Sequence, residues 1–117
     1  MSDARRDAGR AAERLAAQFL EARGLVILER NFRCRTGEVD LIARDGGTIV
    51  FVEVRLRAGH AFGGAAASVD ARKQAKVLRA ARYYLAGKPE QPCRCDVVAL
   101  DRLAADRIEW IRDAFSA

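Results

Sequence analysis

The chain has 117 residues, 50% hydrophobic and 32% charged, with 21 Lys and Arg against 16 Asp and Glu for a formal charge of +5. That composition excludes a disordered tail and sizes the chain for one domain, residues 1–117, able to bury a core without staples. No apolar run approaches the roughly 18 residues of a membrane span. The basic excess favours a polyanionic partner, most simply nucleic acid, although anionic lipid would satisfy the same electrostatics. The N-terminal MSDARRDAGR has no apolar signal core, so a cytoplasmic location is expected. Cys34, Cys93 and Cys95 form neither a CxxC pair nor an even disulfide framework, and they read as small buried thiols.

The first helix is expected over about 4–23. Ala8, Ala12, Leu15, Ala16, Phe19 and Ala22 recur at helical spacing, and Gly24 supplies a stop. Arg5, Arg6, Arg10 and Arg14 make its early part basic, and Glu13 sits on the edge of the apolar stripe, where a boundary surface residue would also sit. Residues 25–32 (LVILERNF) read as a strand, and 33–36 turn into the central pair.

That pair is GEVDLIARDGGTIVFVEVRLR, Gly37 to Arg57, two strands joined at Asp45-Gly46-Gly47. Sorted by parity, Val39, Leu41, Ala43, Val50, Val52, Val54 and Leu56 form an apolar face. Glu38, Asp40, Ile42, Phe51, Glu53, Arg55 and Arg57 fall on the other. Ionised groups on strands otherwise apolar enough to be central cost several kcal/mol unless paired or metal-bound, so their presence points to chemistry.

The Gly/Ala-rich stretch 58–67 has no GxGxxG and no P-loop lysine, so it is not a nucleotide cradle. Its His60, the one histidine of the chain, reads as a solvated loop residue. Ser68 is the expected cap of a second helix running to about Ala86, with Asp70 in its first turn. Gln74, Val77, Leu78, Ala81, Tyr84 and Leu85 make the buried stripe. Arg72, Lys76 and Arg79 line up along the helix, flanked by Lys73 and Arg82, with no acid after Asp70, which suits phosphate contact. Strands follow at 93–100 (CRCDVVAL) and 107–111 (RIEWI). The order α-β-β-β-α-β-β predicts an α/β domain with a mixed sheet of four or five strands flanked by two helices.

Asp40 and Glu53, on one face of adjacent strands, can hold a hard divalent cation through oxygen. Such a cation, Mg²⁺ or Mn²⁺, activates water and polarises a phosphoryl group. Arg55, two residues beyond Glu53, points to the same side and can hold developing negative charge, but it cannot transfer a proton.

The segment GEVDLIARDGGTIVFVEVRLR, with FGGAAASVDARKQAKVLRAARYYL and CRCDVVAL, resembles the YraN-like family of small bacterial proteins from Gly9 to about Leu100. That family is grouped with the PD-(D/E)XK, or restriction-endonuclease-like, superfamily and is similar to archaeal Holliday-junction resolvases. The resemblance implies an α-β-β-β-α-β core, with Asp40 as motif aspartate, Glu53 as motif glutamate, Arg55 as motif cation and Glu13 as the helix-borne acid. It sets Lys73 and Gln74 where related nucleases often place a helper. The superfamily's usual lysine is Arg55 here. The expected function is therefore a Mg²⁺- or Mn²⁺-dependent endonuclease on branched or structured DNA, working as a homodimer. Its catalytic residues would be Asp40, Glu53, Arg55 and Glu13, its metal ligands Asp40 and Glu53, and its nucleic-acid contacts Arg72, Lys73, Gln74, Lys76 and Arg79. The competing readings are a DNA-binding module of the same fold whose catalysis has decayed, and an interaction protein in which the acids form a structural salt-bridge network.

Overall fold

The β-branched runs in the middle of the chain pair with one another, and the two helices settle on opposite sides of them. The computed structural model describes residues 2–56, 69–101 and 108–116. Its elements are α1 (Ser2–Ala22), β1 (Val26–Cys34), β2 (Gly37–Asp45), β3 (Thr48–Leu56), α2 (Ala71–Leu85), β4 (Cys93–Leu100) and β5 (Ile108–Phe115). The stretch 58–67 with His60, together with Arg57, Ser68, Arg107 and the Arg5 side chain, lies outside the described residues.

The fold is α/β in the expected order, on one five-stranded sheet with strands in the sequence β1-β2-β3-β4-β5. Neighbours are antiparallel except β3 and β4, which run parallel. A parallel pair needs a crossover, and α2 lies within it. The β2–β3 hairpin closes where Asp45 pairs with Thr48, with Gly46 at a φ of 61° between them. Among the described residues no helix is long and apolar enough to cross a membrane.

Both sheet faces carry a core, which corrects the expectation of one apolar and one polar face. Ala12, Ala16, Ala17 and Leu20 of α1 pack on Leu41, Ala43, Val50 and Val52. On the other side Val77, Ala80 and Ala81 of α2 pack on Val39, Ile42, Ile49 and Phe51. A strand buried on both faces needs apolar residues at successive positions, which Ile49-Val50-Phe51-Val52 supplies. The α1 stripe is rotated from the one expected: Ala17 and Leu20 are buried while Ala22 is exposed.

Three boundaries move as well. β1 extends to Cys34 and β5 to Phe115. The cap of α2 is Asp70, whose carboxylate accepts the Lys73 N–H at 2.9 Å, so Asp70 precedes the helix instead of lying in its first turn. Of the thiols, Cys95 is buried, Cys34 half-buried and Cys93 exposed, so the buried reading fails for Cys93. The edge strand β5 is fastened to β4 through the fully buried Asp96, which accepts from Arg94 Nε (3.0 Å), Trp110 Nε1 (2.9 Å) and the Asp113 N–H (2.8 Å). A buried carboxylate with three donors is a satisfied one.

One close approach sets the distance between α2 and the acids of β2 and β3. The β1–β2 turn runs so near α2 that a Cβ on Gly37 would lie 2.2 Å from the Lys76 carbonyl oxygen and 2.8 Å from the Ala80 nitrogen. Only glycine lets the helix come in this far.

Candidate active site

Side-chain alternation along β2 holds at Leu41, Ile42 and Ala43 and breaks at Asp40. Parity alone sorts Val39 with Leu41, yet Leu41 packs on the α1 side and Val39 on the α2 side. The cause is local. The paired register of β2 and β3 stops at Leu41–Val52, and beyond it the Asp40 Oδ2 accepts the Val54 N–H at 2.8 Å. A carboxylate thus takes up a strand amide that the ladder leaves over. Opposite, Asn31 of β1 holds a left-handed φ of 53°, uncommon for a residue other than glycine and concentrated at functional places.

The break sets Asp40 between two other acids. Glu53, on the α2 face of β3, is 1% exposed. Burial first, and then the neighbouring Asp40, push its pKa up to about 8. Its Oε2 is 3.2 Å from the Lys73 ammonium and 3.9 Å from Arg55 Nη1, while its buried Oε1 has no hydrogen-bond partner. On the other side, Glu13 of α1 is also raised, chiefly by burial and then by Asp40, against the lowering effect of a hydrogen bond from Asn31.

Lys73 enters from the first turn of α2. Its ammonium is shared between Glu53 and Glu38, 3.1 Å away. Burial disfavours that charge, but Glu53, Glu38 and Asp40 outweigh it and hold the lysine above its ordinary pKa. Glu38 is correspondingly lowered, mainly by its hydrogen bond to Lys73. Arg55, with its side chain 38% exposed, stands further out.

The structure therefore brings Asp40 to Glu53, Asp40 to Glu13, and Lys73 and Arg55 to Glu53. Among the described residues no three Asp, Glu, His or Cys side chains form a single cluster able to hold a metal ion. The row of expected DNA contacts on α2 divides. Lys73 is engaged by the acids, Gln74 Nε2 donates to the Val69 carbonyl, and Arg79 Nε donates to the Thr36 carbonyl at 2.7 Å. Arg72 is exposed, and half-buried Lys76 lines a cavity of about 260 Å³ with Arg33, Arg35, Thr36 and Glu38. Sequence reasoning missed Asn31 and Arg33 as site residues, and set Glu38 on the acid-bearing face without giving it a role. The Arg33-Cys34-Arg35 run was a visible signal. The left-handed Asn31 was not, since nothing local marks it.

A model of an uncharacterised protein family, UPF0102, matches residues 12–100, most of the chain. The chain belongs to the UPF0102 family. A UPF0102 protein of Methylobacillus flagellatus is 52% identical over 106 residues, 91% of this chain and 94% of that protein. One from Nitrosomonas europaea is 53% identical over 108 residues, 92% of each. One from Ralstonia nicotianae is 55% identical over 113 residues, 92% of this chain and 85% of the relative. The UPF0102 match runs from α1 to the end of β4, so it takes in Glu13, Asp40, Glu53, Arg55 and Lys73.

Proposed function

We propose that this UPF0102 protein is a metal-dependent endonuclease that hydrolyses phosphodiester bonds in branched or structured DNA. The observation that carries the reading is the buried Glu53 Oε1, which has no partner and belongs to a carboxylate beside Asp40. A buried carboxylate oxygen next to a second carboxylate costs free energy unless a proton shared with Asp40 or a cation completes it. A hard divalent cation fits that donor set, taking oxygens from Asp40 and Glu53 and the rest of its shell from water or substrate. When bound, Mg²⁺ or Mn²⁺ would polarise the phosphoryl oxygen and lower the pKa of a water.

The protein's own groups do the rest. Asp40 is held in place by the Val54 N–H, so its oxygens are pre-oriented. Lys73, kept protonated by Glu53 and Glu38, is a cation fixed beside the acid pair and suited to the charge that develops on a pentavalent phosphoryl group. Arg55 adds a more exposed positive charge but no proton. Glu13, its pKa raised by burial and by Asp40, is a candidate acid on the α1 side. Symmetric cutting of two strands needs two such sites, which a two-fold homodimer supplies.

The test is Asp40→Asn assayed on four-way junction, flap, single-stranded and duplex DNA, with Mg²⁺, with Mn²⁺ and with EDTA. Metal-dependent cleavage by the wild type, lost in Asp40→Asn with DNA binding retained, is the expected result. Binding without cleavage under every metal would instead make the chain a binding module whose catalysis has decayed.

A further inference from the structure

Three cavities adjoin along the seam between α1 and β1 and around the β1–β2 turn. The first, about 240 Å³, is lined by Arg10, Glu13, Arg14, Arg30, Asn31 and Leu41. The second, about 560 Å³, shares Arg10, Glu13 and Asn31 with it and adds Arg6, Gly9 and Arg33. The third is the Lys76 cavity, which shares Arg33 with the second. Arginines thus follow one another from the α1 helix to the α2 side without a gap, with Glu13 and Glu38 as the acids among them. Both acids feel the charge of Arg33, and each sits beside a member of the Asp40–Glu53 pair or its lysine.

The backbone is shaped for this. In a regularly pleated strand Arg30 and Arg33 would point to opposite faces. The left-handed Asn31 between them breaks the alternation, and both line adjoining cavities. Along β1 and its turn, Arg30 to Arg35 spans about 16 Å at about 3.3 Å per residue. Arg6 to Arg14 spans about 12 Å along α1. Two rails of that length face several phosphates of a duplex, which carries a charge per about 1.7 Å of axis.

We infer that this arginine path, crossed at Arg33, is the docking surface for the phosphate backbone of double-stranded DNA. The inference rests on the nuclease reading only for where the cut would fall, because the path lies alongside the acid pair. Two features choose the ligand. Among the described residues no aromatic ring lines the three cavities, so the described lining offers charge and no stacking platform for the bases of a single strand. β1 is an edge strand studded with exposed Arg30 and Arg33, and like charges there oppose pairing with a second copy of itself.

The experiment is equilibrium binding in EDTA, from about 50 to 200 mM salt, to a duplex and to oligo(dT) of equal length. Arg33→Ala, Arg33→Lys and a charge-matched control, Arg44→Ala, are compared. Arg44 is exposed and pairs with Val26 at the opposite end of β1. Losing one phosphate contact should lower the salt slope by about 0.9 and cost about threefold more affinity at the low-salt end than at the high-salt end. That change is expected in Arg33→Ala, with Arg33→Lys and Arg44→Ala near wild type and the duplex preferred to oligo(dT). Equal losses in Arg33→Ala and Arg44→Ala, tighter binding of oligo(dT), or no DNA binding at all would each overturn the path. Because EDTA removes cleavage from the readout, a protein that binds in this way but never cuts defeats the nuclease proposal and leaves the path standing. One that cuts with Arg33 and Arg44 equivalent does the reverse.

Discussion

Replacing Glu53 with Gln should stabilise the metal-free protein increasingly as pH rises. A carboxyl whose folded pKa is about 8, against an ordinary 4.5, keeps its proton in the native state after the unfolded chain has released it. Native protein then binds more protons than unfolded, so wild-type stability falls as pH rises from about 4.5 and levels off above about 8. Between about pH 5 and pH 8 the loss is about 3 kcal/mol. For a domain of this size each kcal/mol moves the melting temperature by about 4 °C, so the wild type should lose about 12 °C relative to Glu53→Gln over that window. Thermal melts of both proteins in EDTA measure the difference and cancel the other titrating groups. Excess Mn²⁺ at about pH 8 provides a second arm: it should restore the wild type, by about 2.7 kcal/mol at a hundredfold excess over its Kd, and leave Glu53→Gln unmoved. A gap between the two proteins that stays constant with pH would refute the reasoning, since it would mean that Glu53 is ionised in the folded protein throughout.

Lys73→Met should lower cleavage by about a hundredfold at neutral pH, while Arg55→Lys changes it little; a gain in Arg55→Lys with Lys73→Met silent, read from single-turnover rates, would reverse their roles. Asp96→Ala leaves Arg94 Nε, Trp110 Nε1 and the Asp113 N–H without their acceptor, while Arg94 Nη2 keeps Asp45, and should cost about 2–3 kcal/mol in urea unfolding. Gly37→Ala forces a Cβ into the backbone of α2 and should cost about 2 kcal/mol in the same assay, with a further loss of activity as Lys73 withdraws.

The strands, helices and their order were legible because hydrophobic period and turn residues are local signals. GTIVFVEV announces a strand, and Asp45-Gly46-Gly47 its turn, but not that both of its faces are buried. What sequence could not supply was any place where the regular period fails. Parity along β2 sorted Val39 wrongly because the failure at Asp40 comes from a tertiary event, the capture of the Val54 N–H by a carboxylate. The rotation of the α1 stripe toward Leu20 has the same character, since which small residues meet the sheet depends on how the helix docks. The charge run on α2 was visible as charge. Its division into Lys73, Gln74 and Arg79, hydrogen-bonded within the fold, and the exposed Arg72 depends on how near the helix lies to β2, which only Gly37 hints at.

That nearness also bears on the substitution of arginine for the lysine usual in the superfamily this chain resembles. A cation two residues after Glu53 on the same strand lies on its face, but the length of Arg55 carries the guanidinium outward, 3.9 Å from the carboxylate and 38% exposed at the side chain. Lys73 reaches the same oxygen at 3.2 Å with a side chain only 21% exposed. Coulomb attraction grows with proximity and with exclusion of water, so the helix lysine dominates the field at Glu53 although the strand residue is nearer in sequence. It can do so because the helix is close, and the helix is close because residue 37 has no side chain. An arginine at position 55 therefore does not leave the acid pair without an ammonium. The helix supplies it, and Glu38, one residue from Gly37, holds it in place.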